Sequence, residues 1–350
     1  MTPVSTDPSG NSDCTSPLIE MAMGYFRSRT LCAAARLGIA DVLDDGEKTV
    51  DQLATVCRAE PTSLYRLLRA LASFGIVSES KPATFVLTPT GARLRKNTPD
   101  SAWAAILFWA DLLADNWSFL TECVRTGHTA GEIMTREGVT SRWSKDPEAP
   151  AIFRAVMGTG PAENYMPLAR AWDFSAGRVV ADLGGGGGAL ILAILEAYPD
   201  IQGMLVDLQD SVTRAAPRLA AAGLAHRCAL VASDLRQGVP AGADVYIIKH
   251  VLHGYSDETA VGILQNCRSI IPAEGRLLVI EFVLPDVFNR IDKDLELHAM
   301  SDLNMLAVTG GKERSAVELK ELLLRAGFEV IRIISVPGES VSIVEAAPLS

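Results

Sequence analysis

"ADLGGGGGAL" occupies Ala181–Leu190 and sets five consecutive glycines between two apolar segments. Glycine weakens a regular element by roughly 0.5–1 kcal/mol relative to Ala. The run is therefore a loose linker, or a turn pressed so closely against a ligand that no side chain is allowed there. The flanks decide between these. "RVVADL" before it is a short β-branched apolar run, which suits a buried strand. "ALILAILEAYPD" after it repeats apolar residues at Leu190, Ala193, Ile194 and Ala197 and stops at Pro199, a helical spacing. The order is strand, glycine turn, helix. Free N–H groups at that helix start favour a carboxylate, a phosphate or a ribose hydroxyl.

From Arg178 onward the same rhythm continues. The candidate strands are "VVADL", "GMLVDL", "CALVAS", "VYIIKHVL", "RLLVIEFV", "FEVIRIIS" and "VSIVEAA". Helical segments alternate with them, which predicts an α/β fold with a mostly parallel sheet. Only a short "VPGE" segment separates the last two strands, so the sheet is expected to end in an antiparallel hairpin.

Upstream the pattern is helical. "LCAAARLGIADVL" predicts an amphipathic helix ending near Gly38. "TVDQLATVCRAEPTSLYRLLRALASFGIVSES" reads as helix–turn–helix, with Leu53 and Val56 in one stripe and Leu64, Leu67, Leu68 and Leu71 in the other. "TFVLTPTG" follows as a small β wing, so this part resembles a winged helix. Residues 1–100 carry eleven basic and eleven acidic side chains. A phosphate-binding face needs a basic excess, so the module reads as a dimerisation domain rather than a DNA reader. Trp103, Trp109, Trp117 and Trp143 gather in residues 101–170, a helical layer expected to close a pocket or an interface. The expected organisation is a disordered tail over 1–16, the winged-helix domain over 17–100, the helical connecting layer over 101–170 and the α/β domain over 171–350.

Of the 350 residues, 32 are basic and 42 acidic, a net charge of −10, which argues against nucleic acid or an anionic membrane as partner. The six cysteines are scattered without a CxxC pair, which points to a reducing cytoplasm. The polar N-terminus has no signal-peptide pattern, and no run approaches the length of a membrane span.

The glycine turn fits two cofactors. Gly184-x-Gly186-x-x-Ala189 matches the dinucleotide fingerprint, and Gly184-x-Gly186-x-Gly188 matches the S-adenosylmethionine turn. Asp207 ends the next strand, where a carboxylate takes both ribose hydroxyls in either case. The terminal hairpin and the "SDL" at Ser233–Leu235 favour S-adenosylmethionine. At this point "VVADLGGGGGAL…LVDLQDSV…ASDL…IIKHVLHGYSDE…LLVIEFVLPD…GGKERS" resembles the small-molecule O-methyltransferases of plant and bacterial secondary metabolism. The resemblance covers about residues 17–345. It implies a homodimer built through the winged-helix domain. It also implies that Gly184, Gly186, Asp207, Leu208, Asp234, Leu235 and Lys249 contact S-adenosylmethionine.

A neutral phenol is a poor nucleophile, so methyl transfer to it calls for a base. His253 lies just beyond the C-terminal end of "VYIIKHVL", where open α/β sheets place ligands, and it matches the family's proton acceptor. Glu281 and Glu313 match the carboxylates that flank this histidine in the family. His250 shares a helical face with His253 if that turn is helical. Phe153, Met157, Asn304 and Met305 are candidates for the acceptor pocket. The sequence departs from the family at Gly254, where Asp is frequent, at Tyr255, where Trp is, and at Gly160 and Pro161, where polar residues are. No DxD motif or clustered carboxylate–His set calls for Mg²⁺, so a metal-independent enzyme is expected. The competing readings are a C- or N-methyltransferase or hydroxylase of the same fold, and a winged-helix regulator that senses S-adenosylmethionine.

Overall fold

The structure is a computed structural model that describes residues 16–157 and 160–349. The expected tail lies almost wholly outside these residues. The described residues pack into two compact units. One runs up to Ala114 and includes Glu148–Phe153; the other comprises Asp115–Pro147 and the chain from Arg154 onward. The division falls inside the 101–170 layer, whose residues are thus shared between the two.

In the first unit, helix α1 (Pro17–Arg36) precedes strand β1 (Lys48–Thr49), helices α2 (Val50–Cys57) and α3 (Pro61–Ser73), and strands β2 (Val77–Lys81) and β3 (Thr84–Leu87). The three strands pair antiparallel in the order β1-β3-β2. Thr49 and Gln52 close a capping box at the start of α2. Leu64, Leu68 and Leu71 bury one face of α3, as their spacing requires. Val56 does not join the α2 stripe: it is 60% exposed, and Val50, Leu53 and Ala54 form the buried face instead. At 100° per residue, position 56 turns away from Leu53, while Cys57 returns to the core side. Along α1, Leu18, Ile19, Met21, Tyr25 and Phe26 are all exposed.

The second unit is built on a seven-stranded sheet. Its strands are β4 (Val179–Leu183), β5 (Gln202–Asp207), β6 (Cys228–Ala232), β7 (Val245–Lys249), β8 (Arg276–Glu281), β11 (Phe328–Ser335) and β12 (Ser342–Pro348); β9 (Val283–Leu284) and β10 (Arg314–Ser315) pair separately. The order is β11-β12-β8-β7-β4-β5-β6. All seven strands read from the sequence are present. Neighbours from β8 to β6 are parallel, and β12 runs antiparallel to both β8 and β11. Side chains alternate between two cores: Val245 and Ile247 face one layer, Tyr246 and Ile248 the other. Burial on both faces explains why these strands read as unbroken apolar runs. The chain order reverses around β4, and ligands of open α/β sheets bind at such a switch point, beyond the strands' carboxyl ends. The glycine turn leaves β4 there, and His253 follows β7 on the same edge. Among the described residues no helix is long and apolar enough to cross a membrane.

Candidate active site

The glycine turn is tight for two distinct reasons. Gly184, Gly186 and Gly188 have φ of +72°, +55° and +77°, backbone that L side chains rarely adopt. In addition, a Cβ on Gly184 would lie 2.6 Å from Val251 Cγ2, and one on Gly185 would lie 2.6 Å from Asp182 Oδ2. The turn leads into the helix Ala189–Ala197. Asp207, at the end of β5, accepts from the Gly186 N–H at 2.8 Å and from the Leu208 N–H at 2.7 Å. A carboxylate has about four lone-pair sites, so Asp207 keeps acceptor capacity for two hydroxyls. Leu208 is exposed and Leu235 buried. Asp234 is engaged within its own turn, bonded to Arg236 Nε at 3.0 Å and Nη2 at 2.7 Å. Lys249 ends β7 with its ammonium 5.3 Å from the Tyr165 ring centroid. Burial pushes Asp182 up to about 7, against the pull of Lys249; its Oδ2 has no hydrogen-bond partner.

The groups around His253 come from four separate segments. His253 sits in a short 3₁₀ turn, Leu252–Gly254, after β7. Its Nδ1 is 2.7 Å from Glu313 Oε1. That carboxylate atom also accepts from Ser301 Oγ at 2.7 Å, and the Glu313 N–H donates to Asp302 Oδ1 at 2.9 Å. Ser301 and Asp302 lie on the helix Lys293–Val308. Glu281 is more distant, with Oε2 3.8 Å from His253 Nδ1. Its Oε1 instead accepts from the Val251 and Leu252 amides at 3.1 and 3.0 Å. Glu313 is thus the direct partner of the imidazole, and Glu281 holds the turn that carries it. Arg314, itself buried, fixes the same turn by donating to the Leu252 carbonyl at 3.1 Å and the Tyr255 carbonyl at 2.9 Å.

Burial disfavours charge on His253, but the Glu313 hydrogen bond and the charges of Glu281 and Glu313 outweigh it, and the His253 pKa is raised. A proton held on Nδ1 by Glu313 leaves Nε2 free to accept another. His250 is different. It has a left-handed backbone, φ +50°, and burial lowers its pKa. Its ring lies 5.2 Å from that of His253 and edge-on to Phe282. Folding also gathers a group that no motif displayed: His250, His253 and Glu281 bring ligand-type atoms within 4.8 Å of one another. The expectation of no clustered carboxylate–His set is corrected here, because two of the three residues follow β7 and the third ends β8.

The expected pocket residues are divided between the two units. Phe153 belongs to the first unit and packs near Phe108, with ring centroids 5.9 Å apart. In the second unit, Asn304 is buried and accepts from Trp117 Nε1 at 3.1 Å. Met157 is half exposed at its helix end, with its carbonyl 3.7 Å from where a Cβ on Gly186 would stand. A cavity of about 270 Å³ adjoins His250, walled in part by Lys249, Tyr165, Asn164, Phe282 and Glu339. Neither Met157, Asn304 nor Met305 lines it. Sequence reasoning missed Ser301, Asp302, Gly311 and Arg314. Ser301 stands three residues before Asn304, one helical turn away, which is the one spacing signal that points to it.

Two family profiles match this chain: an O-methyltransferase domain over residues 117–329 and an O-methyltransferase dimerisation domain over residues 19–97. The chain is 36% identical over 335 residues to the phenazine O-methyltransferase PhzM of Lysobacter antibioticus, covering 96% of each. It is 32% identical over 312 residues to 8-amino-8-demethylriboflavin N,N-dimethyltransferase of Streptomyces davaonensis, covering 87% of each. Among solved structures it resembles the O-methyltransferase NcsB1 from neocarzinostatin biosynthesis, in complex with S-adenosylmethionine and 2-hydroxy-5-methyl naphthoic acid. The TM-score is 0.78, with 31% identity and coverage of 96% of this chain and all of that one.

Proposed function

Since the chain belongs to the O-methyltransferase family, we propose that it moves a methyl group from S-adenosylmethionine to a phenolic or other aromatic hydroxyl of a small metabolite, with His253 as general base and no metal ion required. The observation that carries this reading is the 2.7 Å contact between His253 Nδ1 and Glu313.

The residues at the switch point fit the donor. The glycine turn admits close approach, Asp207 offers acceptors for ribose hydroxyls, and Leu208 and Leu235 offer apolar surface; Lys249 faces the adjoining cavity. Asp234 contributes through the shape of its turn, its oxygens being engaged by Arg236. Bound S-adenosylmethionine supplies an electrophilic methyl group and a sulfonium charge. The protein supplies the proton acceptor. With Nδ1–H donated to Glu313, His253 Nε2 receives the hydroxyl proton as the oxygen approaches the methyl carbon. A phenol pKa of about 10 against about 6.5 for imidazole disfavours full deprotonation beforehand, so proton transfer accompanies bond formation. Glu313 then stabilises the imidazolium, as a buried carboxylate does in a catalytic triad. The near-attack geometry comes from residues that hold the turn, Glu281 and Arg314.

The test is to incubate the protein with methyl-labelled S-adenosylmethionine and matched panels of phenols and aromatic amines. Label in phenol ethers supports the reading. Transfer confined to amines would replace it with N-methylation, the activity named for the riboflavin-type relative. No transfer to any acceptor, with donor binding intact, would favour a sensor.

Asp207→Ala should weaken S-adenosylmethionine binding at least tenfold, about 1.4 kcal/mol, read by calorimetry. Unchanged affinity would remove Asp207 from the donor site.

We further propose a homodimer formed through the first unit. The dimerisation-domain match supports it, as does the row of exposed apolar residues on α1; contiguous apolar surface of this kind marks association sites. Sedimentation at micromolar concentration should give a dimer, and replacing Leu18, Met21 and Phe26 together by Glu should give a monomer. A monomeric parent protein, or a triple variant that stays dimeric, would contradict this.

A further inference from the structure

We propose that His250, His253 and Glu281 form a binding site for a divalent ion of the zinc class, and that filling it silences His253 as a base. The first half stands on geometry alone; the second rests on the reading of His253 given above. Glu281 Oε2 is 3.5 Å from His250 Nδ1 and 3.8 Å from His253 Nδ1. Tetrahedral ligands at about 2.0–2.1 Å from a zinc ion stand roughly 3.3–3.5 Å apart, so small side-chain shifts bring the three atoms onto one ion. Glu281 is 3% exposed, and its Oε2 is buried without a hydrogen-bond partner. His250 Nδ1 is in the same condition, and the two atoms face each other across 3.5 Å without a hydrogen bond. Buried polar atoms without a hydrogen bond are uncommon in folded proteins, and here two stand beside each other, one of them 3.8 Å from His253 Nδ1. Glu281 Oε1 is held by the Val251 and Leu252 amides, which aims Oε2 at the two rings.

The donor set selects the ion. Two imidazoles and one carboxylate suit zinc, cobalt or nickel. Magnesium prefers an octahedron of oxygens. The consequence for His253 follows from valence. Its Nδ1 cannot bind a metal and donate to Glu313 at once. A ring bound through Nδ1 carries its proton on Nε2, the atom needed to receive the acceptor's proton. Metal at this site therefore removes the free base with only a small movement of the side chains.

Protein stripped with EDTA and moved to chelator-free buffer is titrated with cobalt(II) chloride. The expected result is visible d–d absorption that saturates at one equivalent, is displaced by zinc chloride and is unaffected by magnesium chloride. His250→Asn removes the imidazole with a residue that tolerates left-handed backbone. Glu281→Gln keeps an oxygen for the two amides but loses the second. Each should weaken cobalt binding at least about tenfold, since even outer-shell changes weaken metal sites 10–100-fold; a thermal melt checks that each variant is folded. No saturable absorption, or absorption that survives both substitutions, would overturn the site. Zinc should also abolish methyl transfer in the parent protein, reversibly with EDTA. Saturable cobalt absorption with undiminished methyl transfer would overturn the silencing and remove His253 as base, while the metal site would stand.

Discussion

His253→Ala is expected to lower kcat by roughly 10²–10⁴-fold, the usual worth of general-base assistance, while S-adenosylmethionine affinity stays near that of the parent. His253 is the proposed acceptor of the hydroxyl proton, and none of the residues proposed to hold the donor depends on its ring. The pH profile gives the sharper check. Only the neutral imidazole accepts a proton, so activity falls as pH drops through the His253 pKa. That pKa is raised, so the acid limb should lie above the ordinary imidazole value of about 6.5. Glu313→Gln keeps a hydrogen-bond acceptor for Nδ1–H but removes the charge that favours the imidazolium. The limb should then move to lower pH, and kcat should fall by less than in His253→Ala. A double variant should cost less than the product of the two singles, because the pair acts as a unit. If His253→Ala keeps most of its activity toward an ordinary phenol, the base is elsewhere, and His250 is the next residue to replace.

Gly311→Ala should be strongly damaging although it lies outside the proposed catalytic groups. A Cβ there would stand 2.0 Å from the His253 carbonyl oxygen, 2.6 Å from the Gly254 carbonyl carbon and 2.7 Å from the Tyr255 amide nitrogen. All three neighbours are backbone, so no side chain can swing aside, and the turn carrying His253 must move. Overpacking of this kind typically costs about 1–3 kcal/mol, occasionally more, so the melting temperature should fall by several degrees. Misplacement of a catalytic group by about 1 Å can cost 10²-fold in rate, so kcat should fall on that order. Gly254→Ala is the control for stability, because a Cβ there meets nothing within 4 Å. A Gly311→Ala protein with the parent's melting temperature and kcat would show that the turn shifts freely, and that its fixed position does not matter to the reaction.

The contrast between Gly311 and the glycines after β4 marks where sequence reasoning ended. The five glycines at 184–188 announced themselves because they stand in a row between a strand and a helix. Gly311 is one of a pair in the "GGKERS" segment, where the sequence marks out only Glu313, and its necessity comes from a segment almost sixty residues earlier. The same division runs through the whole chain. The seven strands, the antiparallel finish and the position of Asp207 and His253 at carboxyl ends of strands were all legible. Each is written in local periodicity, in β-branched runs bounded by turns, or in the distance between a strand and the residue that follows it.

What only the tertiary structure decided is which side chains converge. Glu313 touches His253 across sixty residues of sequence, Ser301 and Asp302 brace it from a separate helix, and Glu281 spends one oxygen on backbone amides while facing two imidazoles with the other. Val56 turned outward although its spacing from Leu53 looked helical, because a single pair of apolar residues does not fix the angle of a face. Local patterns determine what a segment becomes and which side it buries. They carry no information on the crossovers that bring β7, β8 and the loop before β10 to one edge of the sheet, and those crossovers set the distances between the groups that do chemistry.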